Sequence, residues 1–229
     1  MPRPPAALVF DLDGTLIDSR RDLATAVNRV RASYRLDPLP LEAVLAMVGE
    51  GARNLVARAL GFGAGAVSGA DAAGAARLDE VLGRFFGHYL EVCLDTTRPY
   101  RGIPEMLEAF APRYPMAVCT NKPGRFTGLL LDRLGLAPRF AQVVAGDTLP
   151  TRKPDPAGMR LLAERLEVPL AEVMLVGDSG IDAATAGNAH CRFALVTWGF
   201  VRECELERIR ERRSPELTAD TPNDLARWF

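Results

Sequence analysis

The chain has 229 residues, of which 48% are hydrophobic, so it can bury a full core as one large domain or as one domain with a smaller insertion. Its 28 basic and 29 acidic residues leave a formal charge of -1, which gives no long-range field to attract nucleic acid or an anionic membrane. The longest mainly apolar runs, at residues 6–10 and 173–176, fall far short of the roughly 20 residues that span a bilayer, so we expect no membrane insertion.

The N-terminus and the cysteines favour a cytoplasmic protein. The first five residues lead directly into a short apolar run, without the longer apolar stretch and cleavage site of a secretory signal. The cysteines are widely spaced and form no CxxC pair, which indicates neither a disulfide framework nor a zinc site. We expect buried free thiols at Cys93, Cys119, Cys191 and Cys204.

Short apolar runs that end abruptly in polar residues predict the strands of an α/β fold. The clearest are residues 6–10, 116–119 and 173–176, and weaker ones lie at 142–145 and 193–196. Each of the clear runs is followed by a polar turn and a helix-like stretch, which is the strand, loop, helix repeat of a parallel sheet. Ligands of such sheets bind outside the carboxyl ends of the strands, where the polar clusters of this sequence fall.

An insertion separates the first two clear strands. About a hundred residues lie between them, far more than a βαβ crossover needs. Apolar residues recur at helical spacing over 22–34, 44–60 and 79–93, whereas 61–74 is rich in Gly and Ala and is expected to connect helices. We predict a helical cap domain at residues 17–91 and a catalytic core made of residues 1–16 and 92–229.

The end of the first strand carries two closely spaced carboxylates. Asp11 and Asp13 are followed by Gly14, which permits a tight turn, and by Thr15, whose hydroxyl can hold that turn. Carboxylates this close repel each other unless a cation or a proton intervenes, and Mg²⁺ prefers oxygen ligands. The alternative is that both are ordinary turn or helix-capping aspartates.

Polar residues after the later strands strengthen the hypothesis of a phosphate site. Thr120 and Asn121 offer a hydroxyl, an amide and backbone N–H groups, and Lys153 offers a positive charge. Asp178 and Asp182 add oxygen ligands one turn apart at the start of a helix. Each residue has an ordinary alternative as a cap or a solvated side chain. Their joint occurrence at strand ends favours a site for a phosphate and a divalent cation.

At these positions the sequence resembles the haloacid dehalogenase (HAD) superfamily. Its four motifs correspond to residues 11–15, 119–121, 153–154 and 177–182, so the resemblance covers almost the whole chain. The resemblance implies a doubly wound parallel sheet, a Rossmann-like core, with an α-helical cap inserted after the first strand. It also implies that Asp11 is the nucleophile and that Asp13 protonates the leaving oxygen and then activates water. Haloacid-cleaving members lack the second carboxylate, so Asp13 favours phosphate chemistry.

The physical chemistry of phosphoryl transfer agrees with these implied roles. Attack by a carboxylate gives an aspartyl phosphate, which divides hydrolysis into two steps. Mg²⁺ held by Asp11, the backbone carbonyl of Asp13 and Asp178 would neutralise the transferring group, with Asp182 supporting that metal shell. We expect the remaining catalytic and phosphate-binding contacts to come from three residues, Thr120, Asn121 and Lys153.

Three segments resemble the phosphoglycolate phosphatase subgroup: residues 47–56, 101–105 and 120–123. The resemblance implies 2-phosphoglycolate as substrate. Arg53 could then bind a substrate carboxylate, its alternative being a solvated helix arginine. The sequence Pro-Tyr-Arg-Gly at 99–102 departs from the Pro-Tyr-Pro-Gly usual in this subgroup.

The sequence therefore predicts a Mg²⁺-dependent phosphomonoester hydrolase that acts on a small phosphorylated metabolite, as a monomer or a homodimer. Alternatives are a phosphatase of another small ester, a sugar-phosphate mutase, a signalling phosphoacceptor and a catalytically silent scaffold. We expect structural roles for His88 and His190. The alternating charges at 202–213 predict an exposed helix with ion pairs, or alternatively a partner-binding surface. Trp198 and Trp228 are expected to pack in the C-terminal part of the core.

Overall fold

A computed structural model describes residues 3–200, 203–212 and 214–229. The strands are β1 (Ala7–Phe10), β2 (Ile17–Asp18), β3 (Arg98–Pro99), β4 (Met116–Cys119), β5 (Gln142–Val144), β6 (Val173–Gly177), β7 (Arg192–Val196) and β8 (Leu217–Ala219). The α-helices are α1 (Arg20–Ser33), α2 (Leu41–Leu45), α3 (Ala52–Leu60), α4 (Ala64–Ser68), α5 (Ala72–Val92), α6 (Ile103–Phe110), α7 (Gly124–Arg133), α8 (Ala157–Arg165), α9 (Gly180–Ala189), α10 (Glu203–Arg212) and α11 (Pro222–Trp228).

The chain divides into two compact units. One comprises Met1–Asp18 with Pro99–Phe229, and the other comprises Ser19–Arg98. The borders expected from the sequence, after residues 16 and 91, precede those of the structure. The two-residue strands β2 and β3 pair at these borders, and strands so short leave no periodic pattern in the sequence.

The larger unit is built on a six-stranded parallel sheet in the order β5-β4-β1-β6-β7-β8. From β1 the chain winds in one direction to β4 and β5 and then in the other to β6, β7 and β8, which confirms the doubly wound α/β fold. Every residue of β1, β4 and β6 is buried, as expected for strands covered by helices on both faces. The carboxyl end of β1 thus lies in the middle of the sheet, beside those of β4 and β6.

The smaller unit is helical, and α1 packs along α5. The predicted helix at 44–60 is two helices, α2 and α3, because Gly49 and Gly51 take positive φ angles of 118° and 89° between them. The stretch 61–74, predicted as a connection, contains α4 and the start of α5. Asp22 is buried and accepts hydrogen bonds from the hydroxyl and N–H groups of Thr96 and Thr97, which fixes the end of this unit.

The described cysteines are buried, whereas Trp228 is exposed. Cys93, Cys119 and Cys191 are buried thiols, as predicted, while the side chain of Cys204 lies outside the described residues. Trp228 is 45% exposed, so the prediction that it packs in the core is wrong, and Phe229 packs against Phe110 and Tyr114 instead.

The stretch 202–213 largely forms α10, whose Ile209 is buried. Residues 202 and 213 and several of its charged side chains lie outside the described residues, and so do the ion pairs expected of them. None of the helices in the described part of the chain has the length and apolar character of a membrane span.

Candidate active site

Four loops bring the predicted polar residues of the larger unit to the carboxyl edge of the sheet. Asp11 follows β1, Thr120 and Asn121 follow β4, and Asp178 follows β6 while Asp182 lies in the first turn of α9. Lys153 comes from the loop between β5 and α8, and the loop after β7 lies at the same edge. This edge, with β1 at its centre, is where α/β sheets bind ligands.

Asp11 is buried and is held by a lysine. Its backbone N–H donates to the Val176 carbonyl at 2.9 Å, which ties it to β6. The Lys153 ammonium lies 2.7 Å from Oδ1 of Asp11 and 2.7 Å from Oδ1 of Asp182, with only 4% of its side chain exposed. Burial raises the pKa of Asp11 to about 6, although the charge of Lys153 opposes the shift. Burial alone would lower the pKa of Lys153, but the two carboxylates raise it, so the lysine stays charged.

Asp178 is held on both of its oxygens. The Thr15 hydroxyl donates to Oδ1 at 3.0 Å, and the Phe200 backbone N–H donates to Oδ2 at 2.7 Å. Burial raises the pKa of Asp178 to about 8, and the neighbouring carboxylates Asp182 and Asp11 add to the shift. A cation bound beside Asp178 would therefore stabilise its charged form.

Asp182 has both of its oxygens engaged by the protein. Oδ1 receives the Lys153 ammonium, and Oδ2 accepts hydrogen bonds from the hydroxyl and backbone N–H of Ser179 in a capping box at the start of α9. One carboxylate oxygen each from Asp11, Asp178 and Asp182 lies within 4.8 Å of the others, an arrangement that fits a hard divalent cation. Because Asp182 also serves Lys153 and Ser179, Asp11 and Asp178 are the better direct ligands.

Backbone packing shapes the turn after β1. Gly14 has φ +92°, and a Cβ there would lie 2.9 Å from Cγ of Asp178 and closer still to its Oδ2. A Cβ at Gly199 would overlap the Gly14 carbonyl oxygen. The loop after β7 therefore lies directly against this turn, and the Trp198 indole N–H donates to the Thr15 carbonyl at 3.0 Å. The part that this loop plays in the site could not be predicted from the sequence, because a contact between residues so far apart in the chain leaves no local pattern.

Asp13 pairs with a lysine that the sequence analysis did not assign. The Lys122 ammonium lies 3.0 Å from Oδ1 and 2.9 Å from Oδ2 of Asp13, and only 4% of the Lys122 side chain is exposed. The available signal was its position directly after Thr120 and Asn121, since a lysine beside a buried strand end needs an anionic partner.

The two polar residues after β4 form hydrogen bonds inside the site. The Thr120 hydroxyl accepts from the Lys122 backbone N–H at 3.2 Å, and the Asn121 amide donates to the Lys153 carbonyl at 2.9 Å. Both side chains are buried. Asn121 thereby connects the loop after β4 to the loop that carries Lys153.

Arg53 lies in α3 of the helical unit and is held by partners there. Its guanidinium donates to the carbonyls of Ala66 and Val67 at 3.2 and 3.3 Å and forms an ion pair with Asp79. These contacts fasten α3 to the end of α4 and to α5. The side chain is 23% exposed, so it is more than a solvated helix arginine.

The chain belongs to the haloacid dehalogenase-like hydrolases, whose family model matches residues 5–190. It is 44% identical over 200 residues to the phosphoglycolate phosphatase of Rhodospirillum rubrum, a match that covers 87% of this chain and 82% of the relative. It is 39% identical over 217 residues to the phosphoglycolate phosphatase of Pseudomonas putida, covering 94% and 76%. A crystal structure described as a predicted phosphoglycolate phosphatase from Haemophilus somnus has a TM-score of 0.86 at 27% identity, covering 100% of this chain and 99% of that one.

Proposed function

We propose that this protein is a Mg²⁺-dependent phosphatase that hydrolyses 2-phosphoglycolate to glycolate and phosphate through a phosphorylated Asp11. One observation carries the proposal: Asp11 and Asp13 each have their own buried lysine, Lys153 and Lys122 respectively. Lys153 divides its charge between Asp11 and Asp182, whereas Lys122 contacts both oxygens of Asp13, so the two carboxylates are in different environments, as a nucleophile and a proton-transfer group must be.

The reaction begins at Asp11. A carboxylate oxygen attacks phosphorus, the bond from phosphorus to the ester oxygen breaks, and that oxygen takes a proton from Asp13 and leaves as an alcohol. Asp13 then removes a proton from a water molecule whose oxygen attacks phosphorus. The bond between Asp11 and phosphorus breaks, and phosphate is released.

The other residues of the edge hold the charges in place. Lys153 keeps Asp11 ionised and is itself fixed by Asp182. Thr120 and Asn121 orient the phosphoryl oxygens in this proposal. Mg²⁺ bound by Asp11, Asp178 and the backbone carbonyl of Asp13 would neutralise negative charge on the transferring phosphoryl group.

The names of the relatives support 2-phosphoglycolate as the substrate, since two of them at 44% and 39% identity are phosphoglycolate phosphatases. We assign the helical unit, residues 19–98, to substrate selection as a cap. Arg53 remains a candidate for carboxylate binding in that unit, although its contacts with Ala66, Val67 and Asp79 favour a role in packing. The proposed setting is the cytoplasm.

A panel of phosphate esters tests the proposal. We expect Mg²⁺-dependent phosphate release to be fastest with 2-phosphoglycolate among small esters, sugar phosphates and nucleotides. Asp11→Asn should abolish turnover, whereas Asp132→Asn, at an exposed position in α7, should not. Transfer of the phosphoryl group back to a sugar would indicate a mutase. A phosphoprotein that persists for hours without turnover would indicate a phosphoacceptor, and either result would refute the proposal.

A further inference from the structure

Both lysines of the chain lie in the active site. The sequence contains 28 basic residues, and only Lys122 and Lys153 among them are lysines. Both side chains are 4% exposed, and each ammonium contacts a carboxylate. Arginine serves as the cation everywhere else, which indicates that these two positions require the compact point charge of an ammonium.

The two lysines face different demands. Lys153 lies between Asp11 and Asp182, at 2.7 Å from each, and so balances the nucleophile and its neighbour. Lys122 contacts the two oxygens of a single carboxylate, Asp13. In the proposed function Lys153 balances the charge of the nucleophile and Lys122 pairs with Asp13, but Lys122 is assigned no contact with the substrate.

The backbone of Lys122 is held on both sides. Its N–H donates to the Thr120 hydroxyl at 3.2 Å, and its carbonyl accepts from the Gly146 N–H at 2.8 Å and from the Thr127 hydroxyl at 3.2 Å. Pro123 follows, and its ring restricts the backbone of Lys122 before it. With the backbone fixed and the ammonium held by Asp13, the charge is in place before substrate arrives, and little conformational entropy remains to be lost on binding.

The position of Lys122 next to Asp13 indicates which substrate atoms it meets. Asp13 must contact the ester oxygen in order to protonate it, so the group one carbon beyond that oxygen lies next to the neighbours of Asp13. In 2-phosphoglycolate that group is a carboxylate. A carboxylate in a buried site needs a paired cation.

We propose that Lys122 binds the substrate carboxylate and so selects phosphate esters that carry a carboxylate one carbon from the ester oxygen. This inference rests on the proposed function, because the ester oxygen lies at Asp13 only if Asp11 attacks phosphorus. It assigns substrate selection to the core loop after β4, in addition to any contribution from the helical unit. The ammonium serves Asp13 and the substrate carboxylate together, since a point charge can contact several oxygens.

Kinetics with two matched substrates test the inference. Ethyl phosphate resembles 2-phosphoglycolate in chain length but lacks the carboxylate. We expect Lys122→Met, which removes the charge and keeps an unbranched side chain, to lower kcat/KM for 2-phosphoglycolate about 10- to 100-fold more than for ethyl phosphate. Lys122→Arg, which keeps the charge, should retain part of the preference. Equal losses on the two substrates would show that Lys122 only positions Asp13 and would overturn the inference.

The wild-type protein provides a second test that does not depend on the folding of a variant. It should prefer 2-phosphoglycolate over both ethyl phosphate and 3-phosphoryloxypropionate, because a fixed ammonium matches one spacing between ester oxygen and carboxylate. Equal kcat/KM values for the three esters would overturn the inference, even though all three were hydrolysed. Failure of the proposed function would look different, since then Asp11→Asn would leave phosphate release intact.

Lysine spectroscopy supplies a readout independent of turnover. The NMR spectrum of protein labelled with ¹⁵Nζ-lysine contains one ammonium signal from each of the two lysines. The signal that is absent in the Lys122→Arg variant belongs to Lys122. In the inactive Asp11→Asn protein, 2-phosphoglycolate should shift the Lys122 signal more than ethyl phosphate does. Equal shifts with the two ligands would contradict a contact with the carboxylate.

Discussion

Replacing Gly14 by alanine should disable the site through a single methyl group. Gly14 has φ +92°, where an L-residue is strained by about 1 kcal/mol or more. The new Cβ would lie 2.9 Å from Cγ of Asp178 and nearer to Oδ2, so the carboxylate must move. Asp178 cannot move without losing the hydrogen bonds from Thr15 and Phe200, which contribute about 0.5–1.5 kcal/mol each, or about 1.5–3 kcal/mol each when Asp178 is charged.

The expected cost of Gly14→Ala is therefore about 2–5 kcal/mol in the free energy of unfolding, together with a fall in kcat of about 100-fold or more, because a displacement near 1 Å misplaces a catalytic group. Urea denaturation and steady-state kinetics measure the two effects. Gly128→Ala is the matched control: Gly128 lies in α7, and a Cβ there meets nothing within 4 Å. It should be neutral or stabilising by about 0.5–1 kcal/mol. Wild-type activity in Gly14→Ala would refute the tight packing between this turn and Asp178.

Three further predictions concern other contacts. Burial raises the pKa of Asp178 to about 8, so the metal-free fold loses stability as pH rises toward 8 and this carboxyl loses its proton. Mg²⁺ binds the deprotonated carboxylate, so the increase in melting temperature on adding Mg²⁺ should be larger at pH 8 than at pH 6. An equal increase at the two pH values would contradict a metal site at this buried carboxylate. Arg53→Ala should lower the free energy of unfolding by about 1–2 kcal/mol, because it removes the hydrogen bonds to α4. The control Arg29→Ala removes an exposed ion pair and should cost less than about 1 kcal/mol. Equal costs for the two variants would refute the packing role of Arg53. Trp198→Phe removes the donor to the Thr15 carbonyl and should lower kcat about 3- to 10-fold, and unchanged kinetics would contradict a positioning role.

The fold was largely predictable because its central strands are buried on both faces. β1, β4 and β6 read as continuous apolar runs for that reason, and the polar residues that follow them indicate the catalytic edge. The edge strand β8 was missed because Thr218 separates its two apolar residues, whereas the equally short edge strand β5 has adjacent valines at 143 and 144.

The site was predictable where chemistry demands several residue types near one another. The carboxylates and Lys153 follow strand ends, so the sheet topology alone brings them together. Lys122 also follows a strand end, that of β4, but the partner of its charge could not be predicted, because it is Asp13, 109 residues away in the chain. Trp198 was predicted in a core and instead donates to the turn after β1, a contact that depends on how two loops pack.

The proposed mechanism requires that Asp11 becomes phosphorylated during turnover. The direct measurement is an acid quench of the enzyme while it turns over 2-phosphoglycolate, followed by borohydride reduction, which converts an aspartyl phosphate into homoserine. Peptide mass mapping should then find homoserine at position 11 and unmodified aspartate at position 13. Modification at another residue, or an unmodified Asp11 in enzyme quenched during rapid turnover, would contradict the assignment of Asp11 as the nucleophile.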